Sequence, residues 1–131
     1  MSEAIKRKTI EHIANDKVFN YIGKAKYQIG NTVVHVRFCN TDLRGSSKYK
    51  FNINPNTLSA DYEIWICGRP DSYYLIPISI MNDIYSHPDA YIDTRHPEIR
   101  VVTLDAGTNR LTYARGGVSL NLGPYRGIVL K

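Results

Sequence analysis

An α+β fold is predicted: a mainly antiparallel sheet of four to six strands, with one helix before it and a short helix after the fourth strand. Three observations predict it. Ile5, Ile10, Ile13 and Ala14 recur at helical spacing near the N-terminus. Four strand-like segments then follow in quick succession, "TVVHVRFC", "KYKFNIN", "DYEIWICG" and "SYYLIPI", each bounded by turn formers. Their connections are short, so neighbours are expected to pair antiparallel as a meander, because parallel neighbours need a long crossover. The segment "IMNDIYSH" then reads as a short helix, capped by Ser79 and stopped by Pro88.

The first helix is expected over residues 3 to 15, with Ser2 as its N-cap, Lys6, Arg7 and Lys8 on its outer face, and Asn15-Asp16 ending it. Between residues 17 and 30 the pattern is mixed. Ala25, Tyr27 and Ile29 alternate with Lys24, Lys26 and Gln28, which predicts a short strand leading into a Gly30-Asn31 turn. In residues 32–39, Val34, Val36 and Phe38 alternate with Val33, His35, Arg37 and Cys39, and "NTDLRGSS" breaks the strand. The next strand has the sharpest two-residue period. Tyr49, Phe51 and Ile53 line one face, and Lys48, Lys50, Asn52 and Asn54 line the other. Beyond Pro88, "HPDAYIDTRHPE" reads as an exposed loop and "IRVVTL" as a further strand. The tail after residue 105 alternates short apolar runs with Gly-rich turns, and either joins the sheet or wraps it.

With 131 residues, 43% of them hydrophobic, the chain is expected to form one domain with a proper core. Its 17 Lys and Arg against 12 Asp and Glu give a formal charge of +5, which favours a polyanionic partner and makes nucleic acid, DNA ahead of RNA, the expected ligand. Cys39 and Cys67 lie in strand-like apolar runs without CxxC spacing, so they are expected to be reduced core residues, not a zinc site or a disulfide scaffold. His12, His35, His87 and His96 show no strong metal-ligand spacing. No phosphate-loop Gly-Lys-Ser/Thr follows Gly116-Gly117 or Gly123, and "GGVS" lacks the nucleophile-elbow pattern. No cofactor, no metal and no catalytic residue is therefore expected. The first residues carry Glu3, Lys6, Arg7 and Lys8 without an apolar signal core, and "YYLIPISIM" is too short to span a bilayer. A cytoplasmic protein without membrane contact is expected.

The polar side of residues 48–54 is the candidate site. Pairing of residues 32–39 with residues 48–54 would bring Arg37 beside Lys48 and Lys50, with Arg44 in the connecting loop, a cluster able to grip several phosphates. Asn52 and Asn54 add amides that hydrogen-bond sugar, phosphate or base edges. The competing reading of the same face is a solvated surface on which lysines discourage edge pairing. Most of the ten tyrosines fall in strands and are expected in the sheet core; Tyr49, Tyr62, Tyr73 and Tyr74 are the ones that would stack bases if exposed. Sheet edges left open by a short meander predict a homodimer.

The stretch from Val33 to Met81 also resembles the second half of the restriction-endonuclease-like superfamily, the PD-(D/E)XK nucleases, which include Holliday-junction-resolvase-like proteins. The resemblance covers residues 32–85 and rests on strand order and aromatic placement: "ADYEIWICG" stands where the family has a strand opening on Asp and an aromatic, and "YYLIPIS" where it has an aromatic strand ending in Ile-Pro or Val-Pro. His35-Val36-Arg37 occupies the place of the family's Glu or Gln, any residue, Lys. Neither catalytic position matches, and no Asp or Glu occurs between Lys17 and Arg37. Imidazole is no substitute for a hard oxygen ligand of magnesium. The resemblance therefore implies a degenerate copy that keeps the nucleic-acid-binding face and has lost cleavage. Two alternatives stay open. One is a magnesium-dependent nuclease built on Asp71 with Glu98-Ile99-Arg100, or on Asp61 and Glu63, though Arg100 cannot act as a base. The other is a protein-binding accessory or inhibitor module of a mobile element, using its aromatic strands as the interface.

Overall fold

The computed structural model describes residues 2–40 and 45–131. Helix α1 (Ser2–Ala14) opens the chain, and Asn15, with φ of 60°, ends it. The strands are β1 (Phe19–Gly23), β2 (Lys26–Ile29), β3 (Thr32–Cys39), β4 (Lys48–Ile53), β5 (Tyr62–Cys67), β6 (Tyr73–Pro77), β7 (Arg100–Asp105), β8 (Arg110–Ala114) and β9 (Val118–Asn121), with helix α2 (Ile78–Tyr85) directly after β6. The fold is α+β with mostly antiparallel strands, an N-terminal helix and a helix behind the strand that ends at Pro77, as the sequence predicts.

The pairing differs from the expected meander. The strands divide into a five-stranded sheet in the order β1-β2-β3-β5-β6 and a four-stranded sheet in the order β4-β7-β8-β9. β3 pairs in parallel with β5, from Val34 opposite Tyr62 to Cys39 opposite Cys67, and β4 pairs antiparallel with β7, from Lys48 opposite Asp105 to Ile53 opposite Arg100. The reason lies in the faces. β5 buries Ile64 and Ile66 on one side and Trp65 and Cys67 on the other, as a strand covered on both faces must. β4 has one apolar face only, so it serves a sheet with one side open to solvent. Its excursion between β3 and β5 supplies the crossover that a parallel pair requires.

The result is three layers. α1 sets Ile10, Ile13 and Ala14 on one face of the five-stranded sheet, against Tyr27, Ile29, Val34, Val36, Ile64, Ile66, Tyr73 and Leu75. The opposite face presents Trp65, Cys67, Tyr74 and Ile76 to Phe51, Ile53, Val102, Leu104 and Leu111 of the second sheet, with Met81 and Ile84 of α2 completing that core. At its centre the Phe51 and Trp65 rings stack, with centroids 4.6 Å apart and planes 6° from parallel.

Four local features depart from expectation or resolve it. β1 is an additional strand, joined to β2 by Lys24 and Ala25 at φ of 52° and 59°, a left-handed turn made without the Asn-Gly pair that announces one. α2 starts at Ile78 behind Pro77, which places Ser79 inside the helix, where it does not cap. The stretch after Pro88 is a loop pinned to the second sheet by bridges Ala90–Ala114 and Ile92–Arg100. The tail both joins and wraps: β8 and β9 complete the second sheet, then Arg126 bridges to Tyr74 and the Leu130 N–H donates to the Ile13 carbonyl. Cys39 is half-buried and Cys67 buried, and burial pushes the Cys67 thiol up to about 12. Among the described residues, no helix is long and apolar enough to cross a membrane.

Candidate nucleic-acid interface

The alternation of β4 sets the site. Phe51 and Ile53 are buried in the inter-sheet core, which turns Lys48, Lys50 and Asn52 outward and leaves them exposed. β7 buries Val102 and Leu104 and turns Val101, Thr103 and Asp105 outward; β8 buries Leu111 and turns Arg110 and Thr112 outward. The registers align these side chains into two rows, Lys48-Asp105-Arg110-Asn121 and Lys50-Thr103-Thr112-Ser119. Neither helix covers this face, since α1 packs beyond the five-stranded sheet and α2 packs on β5 and β6.

Three adjoining depressions cross the face. The first, about 320 Å³, is lined by Arg37, Phe38, Lys50, Phe51, Asn52 and Asp93. The second, about 500 Å³, is lined by Lys50, Tyr91, Ile92, Asp93, Thr94, Val101 and Thr103. The third, about 370 Å³, is lined by Lys48, Thr103, Asp105, Thr108, Arg110 and Thr112. Lys50 and Asp93 border the first two and Thr103 the last two, so the three lie side by side along the face. Arg37 thus meets Lys50 and Asn52, although β3 and β4 share no ladder; the stacking of the two sheets brings them together at the open edge of β4. Asn54 lies past the end of β4, where its Oδ1 accepts from the Asn56 N–H at 3.0 Å and caps the 3-10 turn Pro55–Thr57. Arg44 lies outside the described residues.

Four cations border the groove, Arg37, Lys48, Lys50 and Arg110, against two carboxylates. Asp105 is held below the usual carboxylate range, chiefly by the Ser47 hydroxyl donating at 2.6 Å, then by the Gly107 N–H at 2.9 Å and the Lys48 ammonium, against partial burial. Asp93 is lowered by the N–H groups of Arg95 and His96, at 2.9 and 3.1 Å. A lowered carboxylate stabilises the fold fully above its ordinary value, 3.8 for Asp, and that contribution is lost as pH falls through the lowered native value. Asp105→Asn is therefore expected to lower the urea midpoint at about pH 6 and to narrow the difference between about pH 6 and about pH 3. An unchanged pH dependence would remove Asp105 from the acid limb.

The residues of the nuclease alternatives are differently placed. Glu63 is buried in the middle of a sheet, not at an exposed edge, and its Oε1 lies 2.9 Å from Nδ1 of the equally buried His35, its register partner on β3. Asp61 is exposed and accepts from the Val33 N–H at 2.8 Å, fastening the start of β5 to β3. Asp71 pairs with Arg69 at the surface, while Glu98 lies near His96. Arg100 stacks on Tyr85 and donates to the carbonyls of Tyr85 and Pro97. Among the described residues, no group of three or more His, Cys, Asp or Glu is placed to hold a metal.

Of the tyrosines singled out for stacking, Tyr73 and Tyr74 are buried, and burial raises both phenols to about 12; Tyr49 and Tyr62 are half-buried. The groove residues that the sequence reading missed are Tyr91, Thr103, Arg110 and Thr112. The outward parity of "RVVTLD" and "RLTYA" could have found three of them, once these segments were assigned to one sheet. The chain matches no protein-family model, no curated protein and no solved structure.

Proposed function

We propose that the protein binds nucleic acid along the outer face of the four-stranded sheet, without cutting it. The observation that carries this reading is the row of adjoining depressions from Arg37 through Lys50 to Arg110, where four cations outnumber two carboxylates beside threonine hydroxyls and an amide, on a sheet face that neither helix covers. Lys and Arg neutralise phosphates, and hydroxyl and amide groups hydrogen-bond phosphate and sugar. Four phosphate contacts correspond to a slope of about −3.6 in log K against log salt for duplex DNA. Binding without cleavage rests on His35. If the resemblance to the restriction-endonuclease-like superfamily holds, it stands at the place of the metal-holding carboxylate, and its Nδ1 is engaged by Glu63.

The test is binding to fluorescent single- and double-stranded DNA and RNA across a salt series, with magnesium present and the products run on a gel. Lys48→Glu with Lys50→Glu is expected to weaken binding by at least about tenfold and to flatten the salt slope by about 2, with the fold retained by circular dichroism at the assay temperature. Unchanged affinity would sink the site. Cleaved products would replace binding with a nuclease activity. No binding at low salt would leave the face as a solvated surface and move attention to β1, an edge strand where Tyr21 and Ile22 are exposed beside Val18.

A further inference from the structure

Resting on that reading, we infer that the groove takes a single strand, with one unpaired base stacked on the ring of Tyr91. Tyr91 is 39% exposed, an aromatic ring in a depression it shares with Lys50, Asp93, Thr94 and Thr103, and with the apolar side chains of Val101 and of Ile92, itself 52% exposed. Its place is fixed by the backbone. The Tyr91 N–H donates to the Tyr113 carbonyl at 3.1 Å, and its carbonyl accepts from the Val101 N–H at 2.9 Å. Together with the bridges of Ala90 to Ala114 and of Ile92 to Arg100, these bonds wedge residues 90–92 between β7 and β8 beyond the last ladder pair, Thr103–Thr112. The ring is therefore carried by the sheet itself, not by a free loop. Little ordering remains to be done when a base arrives, which favours affinity.

The surroundings suit a nucleotide. Lys50 lines the same depression as Tyr91, and Arg37 lies one depression further along. A base on Tyr91 thus leaves its phosphate within the field of Lys50, and the next phosphate can follow towards Arg37. Asp93 lines both depressions and repels phosphate, which favours a path along Lys50. Duplex bases keep their faces stacked inside the helix and do not reach such a ring, whereas unpaired bases do, largely irrespective of sequence.

The deciding experiment titrates a single-stranded oligo(dT) of about 15 nucleotides, and a duplex of the same length, into wild type, Tyr91→Ala, Tyr91→Phe and Lys50→Glu. Tyr91→Ala is expected to weaken the single strand about tenfold and leave the duplex unmoved, Tyr91→Phe to keep wild-type affinity, and Lys50→Glu to weaken whatever binds. In Tyr91→Trp, the added surface fluorescence is expected to be quenched by the oligonucleotide, as a stacked ring requires. If Tyr91→Ala leaves single-strand affinity unchanged, or weakens strand and duplex alike, while Lys50→Glu still abolishes binding, the stacking assignment falls and the basic groove stands. If neither oligonucleotide binds wild type at low salt, both fall.

Discussion

Trp65→Ala is expected to cost about 3–5 kcal/mol, a large share of the roughly 5–15 kcal/mol that stabilises a domain of this size. Trp65 is the one tryptophan of the chain and is fully buried, and it faces Phe51 across the seam between the two sheets. Its removal empties the largest volume in that layer, and neither sheet can close the gap without breaking the register that its ladders fix. Phe51→Ala is expected to fall in the same range from the other side. It leaves Trp65 as an internal reporter, with emission shifted to the red. Trp65→Phe is expected to be much milder. It gives up area but removes a buried indole N–H that has no acceptor among the described residues, a donor whose desolvation costs about 1–3 kcal/mol. Urea titrations followed by circular dichroism test all three. A loss below about 1 kcal/mol for both alanine variants would mean that the stack does not hold the sheets together.

The second large effect belongs to His35 and Glu63. Nδ1 of His35 lies 2.9 Å from Oε1 of Glu63, both side chains are buried, and Glu63 Oε2 has no partner among the described residues. Taking away one member leaves the other buried and unpaired, so His35→Leu or Glu63→Leu alone is expected to destabilise by about 3–5 kcal/mol. Replacing both by leucine removes two desolvation costs together and is expected to recover most of that loss, or to exceed wild type by about 1–4 kcal/mol. A double-mutant cycle reads the result directly. Additive losses would show that the two side chains do not act as a pair.

How much of this was legible depended on how local the signal was. The N-terminal helix, the strands from Thr32 to Pro77 and the exposed face of β4 follow from periodicity within ten or so residues, and they stand where the sequence puts them. Partner choice is not local. Short connections argued for a meander, but β4 with one polar face and β5 with none were forced into different sheets by what each could bury. The turn at Lys24-Ala25 uses left-handed residues that carry no composition signal, so β1 was not seen. The burial of Glu63, which the sequence offers only beside Asp61 as a possible metal pair, was not legible, because a lone Glu in an apolar strand gives no sign of the histidine that will face it. Arg37 reached the groove by a route the sequence did not indicate. Tyr91 sat in a stretch with prolines and mixed charge that looked like free loop, and only the bridges to β7 and β8 made it part of the sheet.

The interleaving of the two sheets has a kinetic consequence. β4 is drawn out of the first sheet between β3 and β5, and its partner β7 arrives only after β5, β6 and α2 have been made. Neither sheet is a contiguous length of chain. The buried residues between α1 and the five-stranded sheet are all made once the chain reaches Pro77, but the core between the sheets waits for β7 and β8, and no single cut leaves two fragments that each own a complete core. Such high contact order slows folding, because distant segments must meet before any of them is rewarded. It also ties the fate of the basic groove to that of the buried seam, so the two are expected to be lost in one cooperative transition.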